Sequence, residues 1–122
     1  MRRLPEAEFE VMNEIWKYEP PVTTHVLMQT VGAAKGWKAP SLITLLNRLI
    51  ERGFLSSQKQ GKERLYAPLV SRDEYLRYET QGFLERVHGN SLTSFLQAVS
   101  GGAKLSQQEI EELRAWMNKE TD

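Results

Sequence analysis

Apolar residues recur with a period near 3.6 along most of the chain, and one stretch organises the rest. Across residues 38–53, KAPSLITLLNRLIERG, Leu42, Leu45, Leu46, Leu49 and Ile50 fall at i, i+3, i+4, i+7 and i+8. That is the spacing of a single helical stripe turned towards a core. At about 100° per residue the other face carries Ser41, Thr44, Asn47 and Arg48, short or forked hydrogen-bonding groups suited to base edges and phosphates. Pro40 suits the first turn, where its missing amide costs nothing, and Gly53 suits a C-terminal cap. A polar face alone would equally fit a plain surface helix; the neighbouring elements decide what it means.

Before it, Phe9, Met12 and Trp16, with Val11 and Ile15 beside them, predict a helix opened by Leu4-Pro5-Glu6 and stopped by Pro20-Pro21. Thr23 or Thr24 caps a short second helix whose Val26, Leu27 and Val31 face inward, and residues Gly32 to Gly36 close it. His25, in its first turn, reads as a surface or capping residue. After the third helix the period changes to two. Residues 54–59 and 63–68 predict two strands around Gln60-Gly61-Lys62, with Leu65 and Ala67 on one face and Arg64 and Tyr66 on the other. Lys59, Lys62 and Arg64 gather at the hairpin tip. Three helices followed by a basic hairpin is the order of a winged helix-turn-helix, with the third helix in the recognition position.

Beyond Val70 the helical period returns. Ser71-Arg-Asp-Glu74 and Ser106-Gln-Gln-Glu109 are capping boxes that start two helices. The first carries Tyr75, Leu76, Phe83, Leu84 and Val87 and is broken at Gly89-Asn90. A shorter helix with Leu92, Phe95, Leu96 and Val99 ends at Gly101-Gly102, and the last is striped by Ile110, Leu113, Trp116 and Met117. These helices cannot close a core of their own, so they bury their apolar faces against a second copy of the chain or fold back on the winged module. The fold class expected is therefore mainly α with a small β-hairpin wing: a winged helix-turn-helix domain over 1–70 and a helical dimerisation region over 71–122.

Net charge is zero over 122 residues, yet residues 1–70 hold ten Lys/Arg against seven Asp/Glu and residues 71–122 six against nine. The split of +3 and −3 has the sign of a DNA-reading front half. With no cysteine there is no disulfide frame or thiolate metal site, and no apolar run approaches a membrane span. MRRLPEAEFE lacks an apolar leader core, so a soluble cytoplasmic protein is expected. Only His25 and His88 are available for acid–base or metal chemistry, and there is no phosphate-cradling glycine loop; neither an enzyme nor a cofactor is expected.

Several stretches resemble the penicillinase-repressor (BlaI/MecI/CopY) family. Glu8-Phe-Glu-Val-Met-Asn-Glu-Ile-Trp16 is similar to its first-helix signature, and Trp37, Thr44-Leu-Leu-Asn-Arg-Leu49 and Arg52-Gly-Phe-Leu55 to its recognition-helix signature. Tyr66-x-Pro68-x-Val70 resembles the end of its wing and Glu109-Ile-Glu-Glu-Leu-Arg114 its last helix, so the likeness runs from about Leu4 to Lys119. The resemblance implies a homodimeric repressor on a palindromic operator controlling β-lactamase or altered penicillin-binding protein genes, with a membrane sensor metalloprotease relieving repression. Ser41 and Thr44 match threonines of the family's recognition helix and Arg48 its arginine. Pro40 and Ile43 stand where well-known members carry basic residues, which puts the usual operator sequence in doubt. The cysteine pair of the copper-responsive branch is absent. Leu96-Gln97-Ala98-Val99 takes the place of the family's Asn-Phe cleavage site, making Gln97 and Ala98 the candidate scissile pair.

The expected mechanism is double-stranded DNA binding by a dimer. Lys38, Arg48, Lys59, Lys62 and Arg64 neutralise phosphates, with Arg2 and Arg3 as further candidates, while Ser41, Thr44 and Asn47 read base edges. Dimerisation is assigned to Leu92, Phe95, Leu96, Val99, Ile110, Leu113, Trp116 and Met117. The alternative is a winged-helix module that binds protein instead of DNA, which zero net charge and the loss of basic side chains at Pro40 and Ile43 would suit.

Overall fold

The computed structural model describes residues 1–101 and 103–121. Helix α1 (Glu6–Ile15) follows Pro5, carries Glu6 and Glu8 in its first turn, and buries Val11, Met12 and Ile15. Helix α2 (residues 24–35) starts where Thr23 Oγ1 accepts the amide of Val26 at 3.2 Å. It was expected to close from Gly32 onward. Instead it continues through Gly32 by a π-helical turn over Met28–Gly32 and ends at Gly36, whose φ is +71°. Thr30 Oγ1 donates back to Val26 O at 2.8 Å within that stretch, a side-chain bond of the kind that distorts helices. Gly32 is there for room: a Cβ would come within 3.2 Å of Leu27 O and Met28 Sδ.

Helix α3 (Ala39–Glu51) is the helix expected in the recognition position, with Pro40 in its first turn and Leu42, Leu46 and Leu49 fully buried. Its end is a Schellman cap. Phe54 N donates to Leu49 O at 2.9 Å and Gly53 N to Ile50 O at 3.0 Å, with Gly53 at φ +82°.

The wing is larger than the expected hairpin. Strands β2 (Leu55–Gln60) and β3 (Glu63–Pro68) close on the pair Gln60 and Glu63 around Gly61-Lys62, and a two-residue strand β1 (Val22–Thr23) joins the other edge of β3. The order is β1-β3-β2, all antiparallel, with Val22 opposite Tyr66. Tyr66 turns to the core and Arg64 is exposed. The sheet thereby clamps the start of α2 to the wing.

Helix α4 (Arg72–His88) opens with the expected capping box: Glu74 N donates to Ser71 Oγ at 3.1 Å and Ser71 N to Glu74 Oε1 at 3.3 Å. A first compact unit spans Met1–Thr80, so the boundary expected at Val70 falls ten residues before its end. Tyr75 shows why. Its ring is fully buried against Phe9, Trp16 and Phe54, with centroids 5.7, 6.0 and 5.5 Å away, and its hydroxyl accepts the Leu4 amide at 2.7 Å. Trp16 Nε1 donates to Val70 O at 3.0 Å beside it.

Burial, with Glu79 adding to it, pushes the Tyr75 hydroxyl up to about 12. A folded-state value above the unfolded one, ordinarily near 10, means stability that is complete below pH 10 and is lost as pH rises towards 12. The stability of the wild-type chain minus that of Tyr75→Phe is therefore expected to be constant up to pH 10 and to fall by roughly 2–3 kcal/mol by pH 12. Urea titrations of both chains across that range measure it, and a flat difference would refute it.

The second unit, Gln81–Asp122, holds the rest of α4 with α5 (Leu92–Ser100) and α6 (Gln107–Thr121). Gly89 and Asn90 take positive φ and break α4; Ser91 caps α5, and Gly101 at φ +61° ends it. Gly102, expected to share in that ending, lies outside the described residues. Ser106 caps α6 by accepting Glu109 N at 3.1 Å, and its amide and hydroxyl hold the Glu109 carboxyl below its ordinary value. Phe83, His88 and Phe95 meet edge to face, with His88 Nδ1 2.9 Å from Ser94 Oγ. Among the described residues from 76 to 120, none is fully buried. No helix among the described residues is long and apolar enough to cross a membrane.

Candidate nucleic-acid interface

Three pieces of the first unit converge beside α3. Ile43 and Asn47 of the helix, Thr23, Thr24 and His25 at the start of α2, and Lys62, Glu63, Arg64 and Tyr66 of the wing line a cleft of about 500 Å³. The sheet register produces this convergence, because β1 delivers the first turn of α2 to the edge of β3. Arg64 is braced by its Nη1 donating to Ser57 Oγ at 3.1 Å. Lys59 stands directly across the ladder from Arg64. Two like charges so placed destabilise a hairpin unless an anion lies near them.

Of the expected DNA-contacting residues, Asn47, Lys62 and Arg64 thus come together, with Lys59 next to them. Arg48 does not join them. It lines a second cleft on the other flank of α3 with Arg2, Glu51 and Arg52. Lys38, Ser41 and Thr44 line neither cleft; Lys38 and Ser41 are exposed at the start of the helix. Thr44 Oγ1 donates to Pro40 O at 3.0 Å, so its hydroxyl proton is used and its lone pairs remain to accept, beside a methyl group that can meet thymine.

His25 and Ile43 were not among the expected contacts. The capping threonine at position 23 fixes where His25 stands, which is the signal a sequence reader could have used. A second omission is buried. Glu8 of α1 is 1% exposed and receives Arg52 Nε at 2.7 Å and Nη2 at 3.4 Å, joining α1 to the end of α3.

In the second unit Phe95, Leu96, Ile110 and Leu113 are half-buried, while Leu92, Val99, Trp116 and Met117 are exposed. Leu96, Val99, Leu105 and Leu113 line an apolar groove edged by Glu109 and Glu112. Gln97 and Ala98 are exposed but lie inside α5, their carbonyls accepting from Ser100 Oγ and Gly101 N. A protease would need that turn unwound.

Residues 4–119 match the family model described as penicillinase repressor. The chain belongs to the penicillinase-repressor family. This is a family of transcriptional repressors and not of enzymes. The penicillinase repressor of Bacillus licheniformis is 30% identical over 116 residues, covering 93% of this chain and 90% of that one. The methicillin resistance regulatory protein MecI of Staphylococcus aureus (strain N315) is 33% identical over 119 residues, 95% and 94% of the two chains. The solution structure of the DNA-binding domain of the repressor BlaI superposes with a TM-score of 0.54 at 29% identity, covering 62% of this chain and 94% of that domain. The winged-helix assignment made from the order of elements is therefore correct, with the third strand as its amendment.

Proposed function

We propose that this penicillinase-repressor family member acts as a homodimer that binds a palindromic operator and occludes the promoter of β-lactam-resistance or related genes. The observation that carries the DNA-binding part is the convergence of α3, the first turn of α2 and the basic wing on one cleft. An α-helix with a polar outer face fits the major groove, and a wing beside it meets the adjacent backbone. Thr44 and Asn47 then address base edges, and Lys59, Lys62 and Arg64 address phosphates. If each protomer neutralises about four phosphates, log K for the dimer falls against log salt with a slope of about −7.

Genomic footprinting of the purified chain on DNA from its own source tests this. A few palindromic sites, lost in an Arg48→Ala, Thr44→Ala double variant, are the expected result. Singly, Arg48→Ala is expected to weaken binding to every DNA tested, whereas Thr44→Ala shifts sequence preference at one position by about 1–3 kcal/mol. No protected site at moderate salt would defeat the proposal and favour a protein-binding module.

A further inference from the structure

We propose that Arg2, Arg48 and Arg52 together hold one phosphodiester of the bound DNA, on the flank of α3 away from the wing. This rests on the DNA-binding reading above and adds a second grip to it. Arg2, Arg48, Arg52 and Glu51 line a cleft of about 410 Å³. Glu8, buried beneath, is the partner of Arg52. Three arginines against Glu8 and Glu51 leave one positive charge over, which a single phosphodiester would balance.

Geometry favours that ligand. Residues 43 and 47 face the wing cleft and residues 48 and 52 the arginine cleft, pairs about 140° apart around the helix axis. A helix seated in a major groove about 12 Å wide has a sugar-phosphate backbone on each side of it. Basic clefts on two flanks match two backbones. The Arg52 fork is set in place beforehand. Glu8 takes its Nε and one Nη2 donor, fixing the guanidinium plane and leaving the rest of its five donors for a second acceptor. Arg3 does not line the cleft; its Nε lies 3.7 Å from Glu79. Arg2 is thus the N-terminal member of the site.

The test is fluorescence anisotropy with the full chain and a footprinted operator duplex. Arg2→Ala and Arg48→Ala, both outside the core, are each expected to make the log K against log salt slope about one unit shallower per protomer. Arg52→Lys keeps a charge opposite Glu8 but removes the fork, and is expected to weaken operator binding roughly tenfold at a temperature where circular dichroism shows the variant still fully folded. Single methylphosphonate substitutions along the duplex then locate the phosphate. At one position in each half-site the wild-type chain loses affinity, and Arg2→Ala loses less at that same position. Slopes, affinities and methylphosphonate profiles unchanged in all three variants would overturn the clamp and leave DNA binding standing. Failure of the wild-type chain to bind any operator would overturn both.

Discussion

Arg52→Ala is expected to destabilise the first unit by about 3–5 kcal/mol. The magnitude follows from what is left behind. Glu8 sits on the inner side of α1 at 1% exposure, and the guanidinium at 2.7 Å is its charged partner. Removing that partner strands a carboxylate away from water, whereas the attraction between the two charges when both are present largely offsets their desolvation. The cost is asymmetric. The Arg52 side chain is 23% exposed and borders a cleft, so Glu8→Gln leaves a cation that water can reach and is expected to cost less than half as much. Replacing both, Glu8→Leu with Arg52→Met, returns stability to within about 1 kcal/mol of the wild type, because neither charge is then buried. Urea unfolding of chains in which Trp37 and Trp116 are replaced by Phe, followed by the fluorescence of Trp16, which packs against Tyr75 in the same unit, measures all three. An Arg52→Ala chain within 1 kcal/mol of wild type would mean that Glu8 is hydrated and the pair contributes little.

This pair also marks where sequence reading stops. The stripe of α3 was legible because five apolar residues at helical spacing have one geometric solution, and Pro40 and Gly53 punctuate it. The capping boxes at Ser71 and Ser106 were legible for the same reason: both partners lie three residues apart and both bonds form. Glu8 and Arg52 are 44 residues apart. An acid in the first turn of α1 reads as a surface residue favoured by the helix dipole, and nothing local shows that it points inward. Strand β1 is two residues long, too short for any period, and exists because β3 offers it an edge. Gly32 read as a helix end because glycine is costly inside helices; a packing constraint at Met28 overrode that preference. The DNA-facing residues were identifiable as types, but their division between two clefts depends on how the wing and the N-terminus wrap α3. Tyr75 carried the first core past Val70 for a similar reason, since its partners come from two distant segments, Phe9 and Trp16 from α1 and its end and Phe54 from the turn before β2.

Leu113→Asp is expected to abolish the proposed dimer and to lower operator affinity by roughly 10²–10⁴. Val99 is 62% exposed and Trp116 55%, and Leu113 lies with Leu96 in an apolar groove, so the helices after Gln81 leave several large apolar side chains uncovered. A second copy presents the same surface and can cover it isologously. A carboxylate in that groove, beside Glu109 and Glu112, would have to be buried among like charges, a cost one interface cannot absorb. In the proposed dimer the second half-site contact becomes intramolecular, at an effective concentration in the millimolar range. Loss of the dimer should therefore leave half-site binding nearly intact while the full palindrome loses its advantage. Sedimentation of the variant gives the oligomeric state, and anisotropy on full and half operators gives the affinities. A Leu113→Asp chain that remains dimeric with wild-type operator affinity would place the protomer contact elsewhere. A chain that becomes monomeric yet binds the palindrome as tightly would mean that each winged unit acts alone, and that the C-terminal helices serve some end other than joining two reading heads.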